Sequence, residues 1–104
     1  MIRQFDVFDN PSERLRDQVP FVVAIQSHFL EALRTTIIAP LFRVEVMPPE
    51  RGVILPVTFR EEPLALNIAL LANIEARMLR RPLGSLVEHE LEIRRAIDRV
   101  LTGF

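Results

Sequence analysis

Eight prolines divide the first 82 residues of the chain into short segments. Proline fixes the backbone angle φ and has no N–H to donate, so it interrupts helices and fits a strand only at an edge or a bulge. The proline spacing therefore favours short extended segments over long helices. After Pro82 there is no further proline, and the apolar residues there recur at helical spacing.

The segments between the prolines predict about five to seven short, mostly antiparallel strands. Residues 4–9 alternate well enough for a strand, and residues 10–12 form a turn. Residues 20–26 are almost entirely apolar and rich in β-branched side chains, which predicts a strand buried on both faces. Residues 35–46 form a longer strand, in which Pro40 implies an edge position or a bulge.

A hairpin is predicted in the middle of the chain, and two other stretches are ambiguous. Residues 56–60 and 64–71 form the two strands of the hairpin, joined about residues 61–63. Residues 28–34 contain helix-forming residues but also fit a turn or loop. Residues 73–79 have helical propensity as well, yet they lie between a predicted strand and a proline.

An amphipathic helix is predicted from Leu86 to about Leu101. Ser85 and Glu88 fit the S-x-x-E capping box, in which each end of the motif satisfies a free amide of the first turn. The apolar residues at helical spacing are Leu86, Ile93, Ile97, Val100 and Leu101. Gly103 stands where a helix ends in a left-handed cap, and Phe104 follows it. A capped helix with an aromatic residue at its tip indicates a surface that touches a partner.

Together these patterns predict a mainly β fold, a small antiparallel barrel-like sheet with one C-terminal α-helix. The 104 residues suffice for one domain, expected to span residues 1–104. The absence of cysteine excludes a disulfide scaffold and fits a reducing compartment. The first residues lack the apolar core of a signal peptide, and no apolar run approaches the ~20 residues needed to cross a bilayer. We therefore expect a cytoplasmic protein that does not contact the membrane.

The formal net charge is −1, so no global basic field attracts nucleic acid. All thirteen cationic residues are arginines. Genome base composition is the simpler explanation, and the alternative is that arginine suits bidentate pairing with the carboxylates of an acidic partner. The arginines cluster at two places, Arg77, Arg80 and Arg81, then Arg94, Arg95 and Arg99. A solvated face with pairs such as Glu90 and Arg94 is favoured over nucleic-acid contact.

The residue types that catalysis uses do not form a recognisable arrangement. His28 and His89 are far apart, and neither has a metal-ligand partner at helical or loop spacing. Ser27 and His28 are adjacent, so on an extended chain their side chains point to opposite faces. Glu61 and Glu62 lie in a predicted turn and are expected to be solvated. With three glycines and no phosphate-binding loop, we predict no catalytic residue, no cofactor and no metal.

Five segments match one order of strands, turns and a terminal helix. They are Phe5-Asp6-Val7-Phe8-Asp9-Asn10-Pro11, Val23-Ala24-Ile25-Gln26-Ser27, Ile37-Ile38-Ala39-Pro40-Leu41, Pro56-Val57, and Ile93-Arg94-Arg95-Ala96-Ile97-Asp98 with the Gly103 ending. With these segments the chain resembles the CcdB family, the gyrase-poisoning toxins of toxin–antitoxin modules. The resemblance covers nearly the whole chain and implies the small barrel shared with the MazF and Kid toxins.

The resemblance implies a homodimer whose two C-terminal helix tips bind the A subunit of DNA gyrase and trap the enzyme on cleaved DNA. Such topoisomerase poisons are associated with plasmid maintenance. A cognate CcdA-like antitoxin with a disordered acidic segment is implied as the other partner. Contact with DNA is expected only indirectly, through the antitoxin or gyrase.

The resemblance assigns the gyrase contact to Phe29, Leu30, Arg95, Asp98, Leu101, Thr102, Gly103 and Phe104. The family pattern has tryptophan before the glycine, where this chain has Thr102. Either Phe104 supplies the missing contact area or the grip on gyrase is weaker. The alternative interpretation of the tail is that Phe104 folds back onto Val100 and Leu101 as the hydrophobic contact of a helix cap.

Two other functions stay open. One is a MazF/Kid-like endoribonuclease, for which Arg14 and Arg16 are candidate loop arginines, although no convincing base accompanies them. The other is a degenerate, non-toxic homologue that only binds antitoxin, and Thr102 is the residue that makes this alternative credible.

Overall fold

The computed structural model describes residues 2–30 and 32–103, without the side chain of Phe29. Within them the chain forms seven antiparallel strands and a single α-helix. The strands are β1 (Asp6–Asp9), β2 (Phe21–Ala24), β3 (Thr35–Arg43), β4 (Ile54–Phe59), β5 (Glu62–Asn67), β6 (Ala72–Glu75) and β7 (Gly84–Ser85), and the helix is α1 (Glu90–Thr102). The strand order is β4-β5-β3-β2-β1-β7, with β6 also paired to β3. This curled half-barrel with one C-terminal helix confirms the predicted fold class.

Strand β3 is central rather than at an edge, which corrects the interpretation of Pro40. One side of β3 pairs with β2 along residues 38–41. On its other side, residues 35–38 pair with β6 and residues 41–43 pair with β5. Pro40 is in register with Val22 of β2, but on the other side of β3 it lies between the segment paired with β6 and the segment paired with β5, where neither strand is in register with it. Its missing N–H is tolerated there for the same reason that it is tolerated at an edge.

The hairpin of β4 and β5 turns one residue earlier than predicted. Arg60 and Glu61 form the two-residue loop, with φ angles of 52° and 65°. Positive φ at both central residues is the geometry of a type I′ turn, which suits the twist of the flanking strands. Residue preferences do not predict this turn, because Asn-Gly is the usual pair for a type I′ turn and Arg-Glu is not.

Strand β1 starts at Asp6, two residues later than expected. Phe5 adopts a φ of 73°, which interrupts the extended backbone. Its side chain is nevertheless part of the core, with only 2% of its surface exposed. Its amide donates to the carbonyl of Ala24 at 2.6 Å, and its carbonyl accepts from the amide of Leu86 at 2.8 Å. Phe5 therefore links β2 to the segment that leads into α1.

The core consists of two clusters, one on each face of β2. The main cluster lies between the sheet and α1 and includes Val23, Leu66 and Ile93. The smaller cluster, on the opposite face, contains Phe8, Val22, Ala24, Ile38 and Leu79. Strand β2 is thus buried on both faces, as its run of apolar residues predicted.

The terminal helix begins later than predicted. Val87–His89 form a 3-10 turn, and the α-helix starts at Glu90. The Oγ of Ser85 accepts from the amide of Val87 at 3.1 Å, but Leu86 takes the cap position without a side-chain hydrogen bond, so the predicted capping box and the helix start at Leu86 are wrong. In the described residues no helix is long and apolar enough to cross a membrane.

The two ambiguous stretches resolve as short turns and a strand. His28–Leu30 form a 3-10 turn, and no longer helix follows before Thr35 in the residues described there. The second stretch divides between β6 and a 3-10 turn at Ala76–Met78. Further 3-10 turns lie at Glu13–Leu15 and Ile68–Leu70.

Candidate functional site

The first half of α1 anchors the helix to the sheet. Ile93 is fully buried, Ala96 is almost so, and Ile97 packs against the edge of the main cluster. Burying one such aliphatic side chain contributes about 1.5–3 kcal/mol. Glu90 and Glu92 lie in the first turn, where a carboxylate interacts favourably with the helix dipole. The helix is therefore held at its base, independently of any partner.

The last turn of α1 ends in a defined cap. Gly103 has a φ of 83°, and its amide donates to the carbonyl of Arg99 at 2.9 Å. The hydroxyl of Thr102 donates to the carbonyl of Asp98 at 2.6 Å. The predicted left-handed cap is confirmed, and the amide of Gly103 satisfies a carbonyl of the last turn, while the Thr102 hydroxyl gives the Asp98 carbonyl a second donor.

The helix tip, residues 101–103, is exposed to solvent. Leu101 is 71% exposed, and Val100 beside it is 37% exposed. Two apolar side chains at a capped helix end make a small rigid apolar surface. The prediction for Phe104 falls on a residue outside the described part of the chain.

The other predicted contact residues on α1 lie on its solvent side. Arg95 and Asp98 are both exposed, on the face opposite Ile93 and Ala96. Leu91 lies on that same face and is 61% exposed, although the sequence analysis did not select it. A signal was present, since Leu91 stands two residues before Ile93 and so about 200° around the helix from the core-facing stripe.

Leu30 does not lie with the helix tip in one copy of the chain. It is 49% exposed and lines a cavity of about 360 Å³, to which α1 contributes no residue. Its neighbour His28 lines another cavity with Val87 and Glu90, at the start of α1. The 13 residues of the helix separate that end from the tip by roughly 18 Å. The side chain of Phe29 is outside the description.

Arg99 connects the last turn of α1 to the loop between β3 and β4. Its guanidinium lies directly over Gly52, so close that a Cβ atom at Gly52 would overlap the Nη1 atom. Gly52 also has a φ of 85°, which side-chain-bearing residues rarely adopt. This loop therefore supports the helix next to the exposed tip.

Three of the residues considered for catalysis have structural partners. Glu62 forms an ion pair with Arg43 next to the hairpin turn. His89 lies beside Glu92, with 3.5 Å between Nδ1 and Oε2. Arg16 donates through Nε to the backbone carbonyl of Asn10 at 2.7 Å. Among the described residues no cluster of three or more His, Cys, Asp or Glu side chains has the geometry to hold a metal ion.

The two arginine clusters differ in their surroundings. On α1, Arg94 donates through Nε to Glu90 at 2.8 Å, so the predicted pairing of residues four apart is confirmed. In the other cluster, Arg77 pairs with Glu75 at 2.7 Å. Arg80 borders two cavities, one of which is also lined by Thr35 and Thr36 of β3 and the other by Asp9 of β1.

Comparison with known proteins agrees with this arrangement of strands and helix. The family model described as CcdB protein matches residues 4–103, nearly the whole chain. No curated protein matches the chain. The matched region includes every strand and the whole of α1. The chain therefore belongs to the CcdB family, and this membership supports the role of toxin in a toxin–antitoxin system.

Proposed function

We propose that the protein is a gyrase poison, which binds the A subunit of DNA gyrase through the tip of α1 and traps the complex of gyrase with cleaved DNA. The main support for the proposal is the exposed, capped end of the helix. Leu101 is 71% exposed there, while the same helix packs against the core through its buried residues. An isolated exposed leucine is ordinary on a protein surface. Here it coincides with the segment by which family members reach their target.

The proposed mechanism is binding without bond making. A rigid apolar tip fills a pocket that exists in the opened, cleaved state of gyrase. A ligand that binds one state more tightly raises the population of that state. Because the tip is already ordered by the caps at Thr102 and Gly103, little conformational entropy is lost on binding.

A homodimer would bring the separated parts of the proposed site together. In one copy Leu30 lies away from the tip, so we propose that the tip of one copy acts next to the Leu30 surface of the other. Leu33 is also exposed in that surface, which adds apolar area to it. The antitoxin is proposed as the second partner, with DNA reached only through the antitoxin or gyrase.

The decisive test combines gyrase, ATP and supercoiled plasmid with the purified protein. We expect linear plasmid after the trapped complex is denatured and digested with protease. Leu101→Asp should abolish this cleavage, because a charge at the tip cannot enter an apolar pocket without losing its hydration. Leu15→Asp is the control, since Leu15 is also exposed but lies on the 3-10 turn after β1.

A truncation separates the tip from the fold. Removing residues 103–104 should abolish gyrase trapping while leaving the melting temperature nearly unchanged, because Gly103 contributes one backbone hydrogen bond, to the Arg99 carbonyl at the exposed end of the helix, and no side chain. Trapping that survives both the truncation and Leu101→Asp would contradict the proposal. Cleavage of added RNA with plasmid left intact would favour the endoribonuclease. Normal growth of cells that strongly express the protein without antitoxin would favour the non-toxic homologue.

A further inference from the structure

The loop between β3 and β4, residues 44–53, is fastened by backbone hydrogen bonds at both of its ends. At its start, the amide of Met47 donates to the carbonyl of Arg43 at 3.1 Å. At its end, Glu50 and Ile54 exchange two backbone hydrogen bonds of 3.0 Å. Met47 is half-buried, in contrast to its exposed neighbours on either side in the sequence. Its side chain therefore points to a contact within the molecule and not to open solvent.

The sulfur of Met47 accepts a hydrogen bond from a buried amide group. Nδ2 of Asn67, at the end of β5, donates to this sulfur at 2.8 Å. Asn67 is only 4% exposed, and its Oδ1 accepts from the amide of Ala69 at 2.9 Å. A thioether is a weak acceptor. One buried side chain thus joins the loop to β5 and to the turn Ile68–Leu70, and the bond to sulfur is the weaker of its two bonds.

The bond between Met47 and Asn67 lies close to two supports of the terminal helix. The turn Ile68–Leu70, which Asn67 caps, packs against α1. The loop itself carries Gly52, and the guanidinium of Arg99 lies directly over this glycine. The loop is therefore connected to α1 directly through Arg99 and indirectly through Asn67 and the turn.

We propose that Met47 is a redox modification site, at which a hydroperoxide such as hydrogen peroxide converts the thioether to a sulfoxide and releases the loop from Asn67. In this reaction a lone pair of the sulfur attacks one oxygen of the peroxide, and the O–O bond breaks. The departing hydroxide takes the proton of the transferred oxygen and leaves as water. The sulfur is oxidised by two electrons and the peroxide is reduced by two, so the reaction needs no further reactant.

The hydrogen bond from Asn67 to the sulfur does not survive this reaction. An oxygen added to the lone pair that faces Asn67 needs about 2.7–3.2 Å to the amide nitrogen. Because nitrogen and sulfur are now 2.8 Å apart, the sulfur would have to withdraw. An oxygen added to the other lone pair leaves the sulfur poor in electrons, so that it is no longer an acceptor. In both cases the buried amide group loses its present acceptor, which destabilises the folded state.

A second methionine provides an internal comparison. Met78 ends the 3-10 turn Ala76–Met78 and is 47% exposed, so peroxide reaches it more easily than the half-buried Met47. Oxidation of Met78 should leave the loop between β3 and β4 unaffected, because Met78 belongs neither to this loop nor to β5. The two sulfoxides should therefore form at different rates and have different consequences.

The test treats the purified protein with hydrogen peroxide and follows the sulfoxide at each methionine by peptide mass spectrometry. The melting temperature and the rate of trypsin cleavage after Arg51 are measured on the same samples. Arg51 is exposed within the loop, so cleavage there reports local opening of the loop. We expect the sulfoxide at Met47 to lower the melting temperature by about 4 °C or more and to accelerate this cleavage about fivefold or more. A methionine sulfoxide reductase should reverse both changes.

Two variants identify the responsible side chain. Met78→Leu should keep the full response to peroxide, whereas Met47→Leu, which retains an apolar side chain without an acceptor, should show none. Equal responses of the two variants would overturn the proposal, as would a sulfoxide at Met47 that changes neither quantity, or a Met47 that stays reduced after prolonged treatment.

If Met47→Leu does not fold, the time course of the wild-type protein decides. Cleavage after Arg51 must then follow the sulfoxide at Met47, and cleavage that follows the earlier sulfoxide at Met78 would count against the proposal. None of these measurements involves gyrase, so their outcome is independent of the function proposed above.

Discussion

The two ends of α1 belong to the same helix but have opposite surroundings. Near its start, Ile93 and Ala96 are sealed against the sheet. At its end, Leu101 is largely exposed. The backbone is equally regular at both ends, because the cap at Gly103 closes the last turn. An apolar residue therefore stabilises the fold at one end and remains available to a partner at the other.

This difference indicates that residues at the helix tip can be exchanged without loss of the fold. Substitutions at the exposed end change the surface that the helix presents, while the residues that hold the helix in place lie about two turns earlier. Arg99 stands between the two regions, since it faces the loop at Gly52 rather than the core. Four substitutions test this division, and the first is expected to have the largest effect on stability.

Ile93→Ala should lower the free energy of unfolding by about 2–5 kcal/mol, because it leaves a cavity in the main cluster. Urea denaturation followed by circular dichroism measures the change. Leu91→Ala is the matched control on the same helix and should stay within about 0.5 kcal/mol, since Leu91 is 61% exposed. Equal losses for the two variants would show that the helix packs through a different face.

Gly52→Ala should lower the free energy of unfolding by about 1–2 kcal/mol from the positive φ alone. A further loss of stability is expected because the new methyl group displaces the guanidinium of Arg99. Gly103→Ala provides the comparison: its φ is 83° and no atom lies within 4 Å of the position of a Cβ. Thermal unfolding of both variants separates strain from the Arg99 contact. If Gly103→Ala is the more destabilising of the two, the contact does not support the helix.

Glu90→Gln should lower the free energy of unfolding by about 0.3–0.5 kcal/mol at low salt. This is the usual contribution of an exposed ion pair between residues four apart on a helix. The loss should shrink in concentrated salt, which screens the pair with Arg94. Melting temperatures at the two salt concentrations give the measurement. Glu45→Gln, an exposed carboxylate in the loop after β3, should show no such salt dependence.

Leu101→Ala should have the smallest effect on stability, within about 0.5 kcal/mol, although it removes most of the side chain at the helix tip. The same urea denaturation used for Ile93→Ala measures it. A loss comparable to that of Ile93→Ala would mean that the tip is part of the core, and the contrast between the two ends of the helix would fail.

The fold class follows from the sequence because its main determinants are local. The prolines limit helix length, alternation and apolar runs locate the strands, and a single helical repeat follows Pro82. Two of the errors, the start of β1 and the position of the hairpin turn, occur where non-glycine residues adopt positive φ. Phe5, Arg60 and Glu61 all do so, and no rule based on residue preference selects them. Their geometry is imposed by the strands and contacts around them.

The candidate sites also differ in how far the sequence predicts them. The exposed side of α1 was predictable, because helical spacing separates Ile93 from Arg95 and Asp98. The cleft lined by Arg16, Arg80 and Arg81 was not, since segments 9–16 and 77–83 come together only after the sheet has formed. Leu30 illustrates a third situation, because it lines a cavity to which α1 contributes no residue, although the resemblance assigned both to one contact.

The place of Pro40 has a consequence for how the sheet branches. Ile25 donates to the carbonyl of Ile37, so alternation along β3 directs the backbone nitrogen of residue 40 away from β2. On that side β6 has already stopped pairing with β3, β5 has not begun, and the turn Ile68–Leu70 that joins them packs against β3. Any other residue at position 40 would place an amide hydrogen in the gap between β6 and β5. If that hydrogen found no acceptor, the cost would be about 1–3 kcal/mol. A residue that normally interrupts sheets thus lets one strand pass from one neighbour to the next.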